Sequence, residues 1–225
     1  GFAERVEDGK EIYYSFTKDN KIDWSFIPSK VTDQEFKYQI HRHQWMLPQA
    51  KAYRISKDEK YIQSWIEAYG SWIETFPYTP GTIFPPAGGS ENDVDYQWKG
   101  LQVAERVLSQ VDIMPYFIHS TNFTPEWLST FLVAFEKEVE CIRLNYYQSG
   151  NILISQYQAV ATAGMLMPEF KNASTTSSLL MILARFWPVA LTSSAFNSAE
   201  SFSRSIAIRS SLIASAPMPT RKLFP

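Results

Sequence analysis

Asn151 follows Gly150 and heads an apolar run that includes Leu153, Ile154, Tyr157, Val160, Ala161, Gly164 and Met165. Its spacing is that of a helix N-cap, where a side-chain oxygen accepts a hydrogen bond from a free first-turn amide. Gly150 can take the left-handed backbone that closes a preceding helix. His41 and His43 lie two apart and so point to different faces of a helix. A helical zinc pair needs the four-residue spacing of His-Glu-x-x-His, so no metal site is read there. Glu136 and Glu140 lie four apart, a pairing able to do acid–base work on glycosides. They alternate with Lys137 and Arg143, the pattern of a solvated face. Cys141 is the single cysteine, which rules out an internal disulfide and reads as a small buried hydrophobe. Asn122-Phe-Thr and Asn172-Ala-Ser fit a glycosylation sequon, a pattern frequent by chance.

The elements that must hold these groups are helical. Around Asn151 the apolar residues leave no polar face, the mark of a buried inner helix, with Ala159 and Ala163 open to close approach by another helix. Pro168 stops it. Upstream, the periodicity predicts a helix from Asp33, as cap, to about Leu47 before Pro48, with Phe36, Ile40 and His43 on one side. A second helix covers about 49–55. A third runs from Glu59 to about Phe76, striped by Tyr61, Trp65, Tyr69, Trp72 and Ile73 in a core-packing pattern. Pro77 to Asp95 is a long loop, read as the rim of a cleft. Then come a helix from Tyr96 to Phe117 and one capped by Thr124 with Pro125 at its first position, running to about Gln148. The latter carries Phe131, Phe135, Val139, Ile142 and Tyr146 in one stripe. Residues 1–32 read as an extended lead-in over the first helices, with Lys18–Lys21 a polar turn. Residues 174–225 form a Ser/Ala-rich tail with Glu200 its only acidic residue, read as a frame-shifted, fused, diverged or partly disordered end.

Several stretches carry a family likeness. Asn151, the apolar helix, Gly164 and then Met167-Pro168-Glu169-Phe170-Lys171-Asn172-Ala173 resemble the heparinase III-type polysaccharide lyases, the heparinase II/III N-terminal domain. There the motif reads Asn-His, an apolar helix, then Phe-Pro-Glu-Phe-Lys-Asp-Ala; here Ile152 replaces the His and Asn172 the Asp. Gln39-Ile40-His41-Arg42-His43-Gln44-Trp45, Lys51-Ala52-Tyr53-Arg54, Asp58-Glu59-Lys60-Tyr61, and Trp98 with Leu101 and Arg106 match in the same order. The likeness spans about residues 20–173.

The resemblance implies an all-α chain, an incomplete (α/α) toroid of antiparallel helix pairs over 33–173. It also implies cleavage of an acidic polysaccharide, of the heparan sulfate/heparin kind, by β-elimination. Asn151 would hydrogen-bond the uronate carboxylate as negative charge develops on it. Substrate-binding positions carried over are Arg42, His43, Trp98, Lys99 and Arg106. Trp98 reads equally as a core residue, and Arg42 equally as a structural ion-pair partner. Lys99 stands where the family has Arg and lacks the bidentate fork of a guanidinium. The family's acid and base, a Tyr and a His, lie beyond the Pro-Glu-Phe motif. The last histidine here is His119 and the last tyrosine Tyr157, so the chain alone is expected to lack the full catalytic set. No cofactor or metal is implied. Export to the periplasm is expected by likeness alone.

Composition sets outer bounds. With 225 residues and net charge −2, the chain offers no general basic surface, which argues against nucleic acid as partner. No run is apolar and long enough to span a membrane. No signal peptide is visible, and the chain starts at Gly1 without Met, as a fragment or processed product would. The oligomeric state is not fixed by these features. The competing readings are a non-catalytic helical carbohydrate- or protein-binding domain, and an (α/α) glycoside hydrolase, for which no two facing carboxylates present themselves. No fixed repeat period supports a regular solenoid.

Overall fold

The chain is described by a computed structural model that covers residues 2–5, 11–14, 16–19, 21–28, 34–84, 95–167 and 170. Among the described residues six α-helices form the scaffold: α1 (Gln34–Arg42), α2 (Leu47–Ser56), α3 (Lys60–Thr75), α4 (Gly100–Phe117), α5 (Pro125–Leu144) and α6 (Gly150–Leu166). The described residues are mostly helical, as expected. Among the described residues, four short strands precede the helices. β1 (Phe2–Arg5) pairs antiparallel with β2 (Glu11–Tyr14), and β3 (Thr17–Lys18) with β4 (Lys21–Ile22). Asp19, in left-handed backbone, makes the β3–β4 turn where a polar turn is expected. Trp24 then anchors the lead-in over the helices: it is buried, donates to Ser71 Oγ at 3.2 Å and packs its ring near His41, His43 and Trp45.

The first helix is shorter than its periodicity predicts, because side chains take over its last carbonyls. Trp45 Nε1 donates to the Ile40 carbonyl at 3.0 Å and Arg106 Nη1 to the His41 carbonyl at 3.0 Å. Those acceptors would otherwise continue the helical ladder. His43 turns left-handed (φ 61°), a 3-10 turn covers Gln44–Met46, and α2 begins at Leu47. Pro48 therefore opens a helix rather than closing one, a first-turn place where its missing N–H costs nothing. The predicted helix from Tyr96 is likewise split: Tyr96–Trp98 is a 3-10 turn, Lys99 is extended, and α4 starts at Gly100.

Chain direction follows from the paired side chains. Along α1 and α2, Tyr38 meets Tyr96, Arg42 meets Gln102, Gln44 meets Glu105 and Tyr53 meets Phe117, so this segment runs parallel to α4. Trp65 meets Gln110 and Trp72 meets Trp98, so α3 runs antiparallel to α4. Arg106 meets Glu138 while the Cys141 thiol donates to the Trp98 carbonyl at 3.3 Å, so α5 is antiparallel as well. Tyr147, just before α6, lies against Gly100, and α6 packs chiefly on α4. The helices thus form two layers: α1–α2, α4 and α6 pointing one way, α3 and α5 returning. Between them lies an aromatic core of Trp65, Tyr69, Trp72, Phe117, Phe131 and Phe135.

Thr124 Oγ1 accepts from Trp127 N at 3.2 Å, the predicted cap of α5. That helix ends at Leu144, short of Gln148, as Asn145 Nδ2 takes the Cys141 carbonyl at 2.8 Å and its own amide bonds Ile142 instead. The α6 helix is not enclosed all round by the described residues. Ala159, Val160, Ala161, Ala163 and Gly164 are buried, but Ile154 and Met165 are 40% and 43% exposed. No helix among the described residues is long and apolar enough to cross a membrane.

Candidate functional site

The starts of α4 and α6 lie at one end of the scaffold, and their glycines shape it. Gly100 has φ +51° and Gly150 φ +86°, backbone that L side chains rarely adopt. A Cβ on Gly100 would stand 3.0 Å from Tyr147 Cε2 and Oη, so this glycine also makes room for the Tyr147 ring. Nothing lies within 4 Å of the corresponding atom on Gly150. There the extended Ser149 is the N-cap, without a side-chain cap bond. Asn151 is therefore not the cap that spacing predicts. The helix starts at Gly150, two residues earlier than a cap at Asn151 would set it, which leaves Asn151 inside the first turn with an exposed side chain.

Two amides brace this end. The Gln156 side chain is fully buried; its Oε1 accepts from Tyr147 N at 2.9 Å and its Nε2 donates to the Asn145 carbonyl at 3.0 Å. Asn145 in turn accepts from Phe84 N at 2.6 Å and donates to the Thr82 carbonyl at 3.1 Å. Glu140 accepts from Gly81 N at 3.0 Å. The first part of the predicted rim loop is thereby fixed against the C-terminal end of α5; residues 85–94 lie outside the described residues. Glu136 is exposed, as a solvated face requires.

The other candidate residues form the wall behind this end. Trp98 is buried between Trp72 and Tyr78, at 5.1 and 5.0 Å between ring centres. Lys99 is buried too. Arg42 is buried, 3.0 Å from Glu35 Oε2 and donating to Gln102 Oε1 at 3.2 Å, the structural pairing the sequence allowed. Arg106 is completely enclosed. It donates to Glu138 Oε1 at 2.8 Å and to the carbonyls of His41 and Gln97, both at 3.0 Å, and its guanidinium lies 3.8 Å over Trp72. Direct sugar contact by Arg106 would require opening the core, so its place is that of a structural cation.

Sequence reading missed Glu138. It stands three after Phe135 and four before Ile142, within the buried stripe, and that misplaced charge was the signal. Both members of the Arg106–Glu138 pair have no exposed side-chain surface. Burial pushes the Glu138 carboxyl upward, and Arg106 and the Tyr69 hydroxyl, which donates at 3.0 Å, pull it back.

The two histidines are neutral parts of the same wall. Trp72 Nε1 can only donate, so His41 Nδ1 accepts at 3.1 Å and its proton sits on Nε2, toward Tyr96 Oη at 3.2 Å. Burial and Arg106 lower its pKa to about 3. Trp65 Nε1 donates to Gln110 Oε1 at 3.0 Å, which orients that amide to donate through Nε2 to His43 Nδ1 at 2.9 Å. His43 keeps its proton on Nε2 and is held well below its usual value by burial, then by Arg106 and His41. Burial lifts the Cys141 thiol to about 12. Among the described residues, no three His, Cys, Asp or Glu side chains are grouped to hold a metal ion.

Fold and site define a paired-helix scaffold that presents an exposed amide and two glycine-shaped helix starts at one end. A sequence model of the Heparinase II/III N-terminus family matches residues 5–181, and the chain belongs to that family. A heparin-sulfate lyase of Bacteroides thetaiotaomicron is 52% identical over 161 residues, 71% of this chain and 21% of that protein. One of Pedobacter heparinus is 30% identical over 72% of this chain and 22% of its own length. Among solved structures, heparinase III aligns with TM-score 0.64 at 48% identity, covering 74% of this chain and 24% of that one. Heparan sulfate lyase HepC from Pedobacter heparinus aligns with TM-score 0.64 at 26% identity, over 81% and 27%. The chain thus spans about a quarter of the length of the relatives it matches.

Proposed function

We propose that the chain is part of a lyase that cleaves uronic-acid-containing glycosaminoglycan, of the heparan sulfate/heparin class, by β-elimination. The described helices are then one arc of an (α/α) toroid, with α1–α2, α4 and α6 on its inner side. The observation that carries this reading is the 52% identity to a heparin-sulfate lyase over most of the chain; the exposed Asn151 at the start of α6 supports it.

The chemistry assigned to Asn151 is stabilisation of charge. Removing the C5 proton of a uronate builds negative charge onto a carboxylate that is already anionic. A carboxamide N–H donated to that carboxylate stabilises the carbanion, and the positive end of α6 adds to it. Lys99 supplies positive charge near the start of α4. Arg42, His43, Trp98 and Arg106 hold the wall rather than touch sugar. The acid and the base are a Tyr and a His that lie beyond the Pro-Glu-Phe motif in the family, where this chain has neither, so this chain alone binds but does not cleave.

Titration calorimetry of the purified chain with a uronate-containing heparan sulfate oligosaccharide tests this. Weak binding that is lost in Asn151→Ala is expected, with no ultraviolet-absorbing unsaturated uronate released. Absent binding, or binding indifferent to Asn151→Ala, refutes the site. Release of unsaturated product by the chain alone refutes the missing-catalyst reading.

A further inference from the structure

We infer that Gln156 is a positioning residue for this end of the scaffold. It clamps the α5–α6 connection so that Tyr147 and Asn151 are presented in fixed geometry to an incoming sugar. The inference rests on the proposed site at Asn151.

A glutamine is a poor choice for the place it occupies. Gln156 is fully buried on α6 among Ala159, Val160 and Ala163. An apolar side chain there would avoid the desolvation of a carboxamide. Both ends of that carboxamide are used, and both on backbone: Tyr147 N at 2.9 Å and Asn145 O at 3.0 Å. One side chain thus fixes two positions of the connection from within the helix that follows it. The connection is what sets the site. Tyr147 lies against Gly100, where no side chain fits, and is only half-buried. Four residues on is Asn151. Asn145 carries the same restraint to Thr82 and Phe84. A partly exposed tyrosine ring held at a polysaccharide-binding mouth offers a pyranose an apolar surface. Holding it in advance removes the ordering cost from binding.

The test uses Gln156→Met, which keeps the volume and removes both hydrogen bonds, and Gln156→Glu, which keeps only the acceptor. Hydrogen exchange of the Tyr147 amide and affinity for the heparan sulfate oligosaccharide are measured on each. The expected result for Gln156→Met is loss of Tyr147 amide protection and binding about tenfold weaker, the factor that corresponds to re-ordering one backbone residue on binding. Gln156→Glu should fall between it and the unsubstituted chain. Unchanged Tyr147 protection, or a loosened connection with unchanged affinity, overturns the inference. If the unsubstituted chain does not bind at all, the lyase reading fails. The exchange data then still decide whether Gln156 clamps the connection.

Discussion

Replacing Glu138 by Leu should be among the most damaging single changes in the scaffold. It leaves the Arg106 guanidinium charged, with no exposed surface and no counter-charge. Removing one partner of a buried pair typically costs about 3–5 kcal/mol, and the orphaned Tyr69 hydroxyl adds about 1 kcal/mol. At roughly 2–4 °C per kcal/mol, the melting point should fall by about 10 °C or more. Arg106→Met alone should be at least as harmful. It strands the carboxylate and also the His41 and Gln97 carbonyls, at about 1–3 kcal/mol each. The double variant removes both charges and keeps only the carbonyl and hydroxyl penalties. A double-mutant cycle in urea should therefore show a coupling of about 3 kcal/mol or more. Should Glu138→Leu not fold, Glu138→Gln retains an acceptor for Tyr69 and closes the cycle. Additivity within about 0.5 kcal/mol would refute the claim that this pair acts as one buried unit.

Acid should destabilise the fold through its histidines. The folded pKa of His41 is lowered from 6.5 to about 3 and that of His43 also falls, so the unfolded chain takes up protons first. Stability is then fully present above about pH 6.5 and is lost as pH falls, by up to about 1.4 kcal/mol per pH unit for each histidine. Glu138, pushed upward by burial, acts in the opposite sense below neutrality. Urea titrations from pH 7 to 5 should show the loss, and a flat profile contradicts neutral buried rings. Gly150→Ala should cost only the left-handed penalty, about 1–2 kcal/mol, while Gly100→Ala should cost more because its Cβ meets Tyr147; equal melting points for the two would contradict the close approach. Cys141 should resist thiol reagents in the native state and react only on unfolding; prompt labelling of folded protein would refute its burial.

Helix stripes and caps were legible in the sequence wherever the cause was local. Thr124-Pro125 marked the start of α5 and the aromatic repeat marked α3, because a cap and a stripe need only neighbours in sequence. The breaks at His43 and Lys99 were not legible. The first goes with Trp45 and Arg106 taking the carbonyls of Ile40 and His41, the second of these donors 65 positions away; at the second, Arg106 takes the Gln97 carbonyl. For the site, Asn151 reads as a helix start, but its exposure depends on Gly150 opening the helix two residues sooner than a cap at Asn151 would. Arg42, Trp98, Lys99 and Arg106 were picked out by type and by family likeness. Neither carries information on depth, and the structure buries all four. The use of Gln156 is not legible in the sequence, because a lone glutamine in an apolar run shows it only when both ends of the amide are engaged.

Arg106 bears on how the chain is made. It reaches back to His41 on α1 and to Gln97, lies over Trp72 of α3, and waits for Glu138 on α5. A nascent chain that has emerged only as far as Phe117 has its arginine but not its counter-ion, so the first four helices cannot close around it. Closure has to wait for α5, and helix pairs that look separable on paper belong to a single folding event. A polypeptide truncated after Phe117 should accordingly show rapid amide exchange throughout; protected amides in α3 would mean the first helices close without α5.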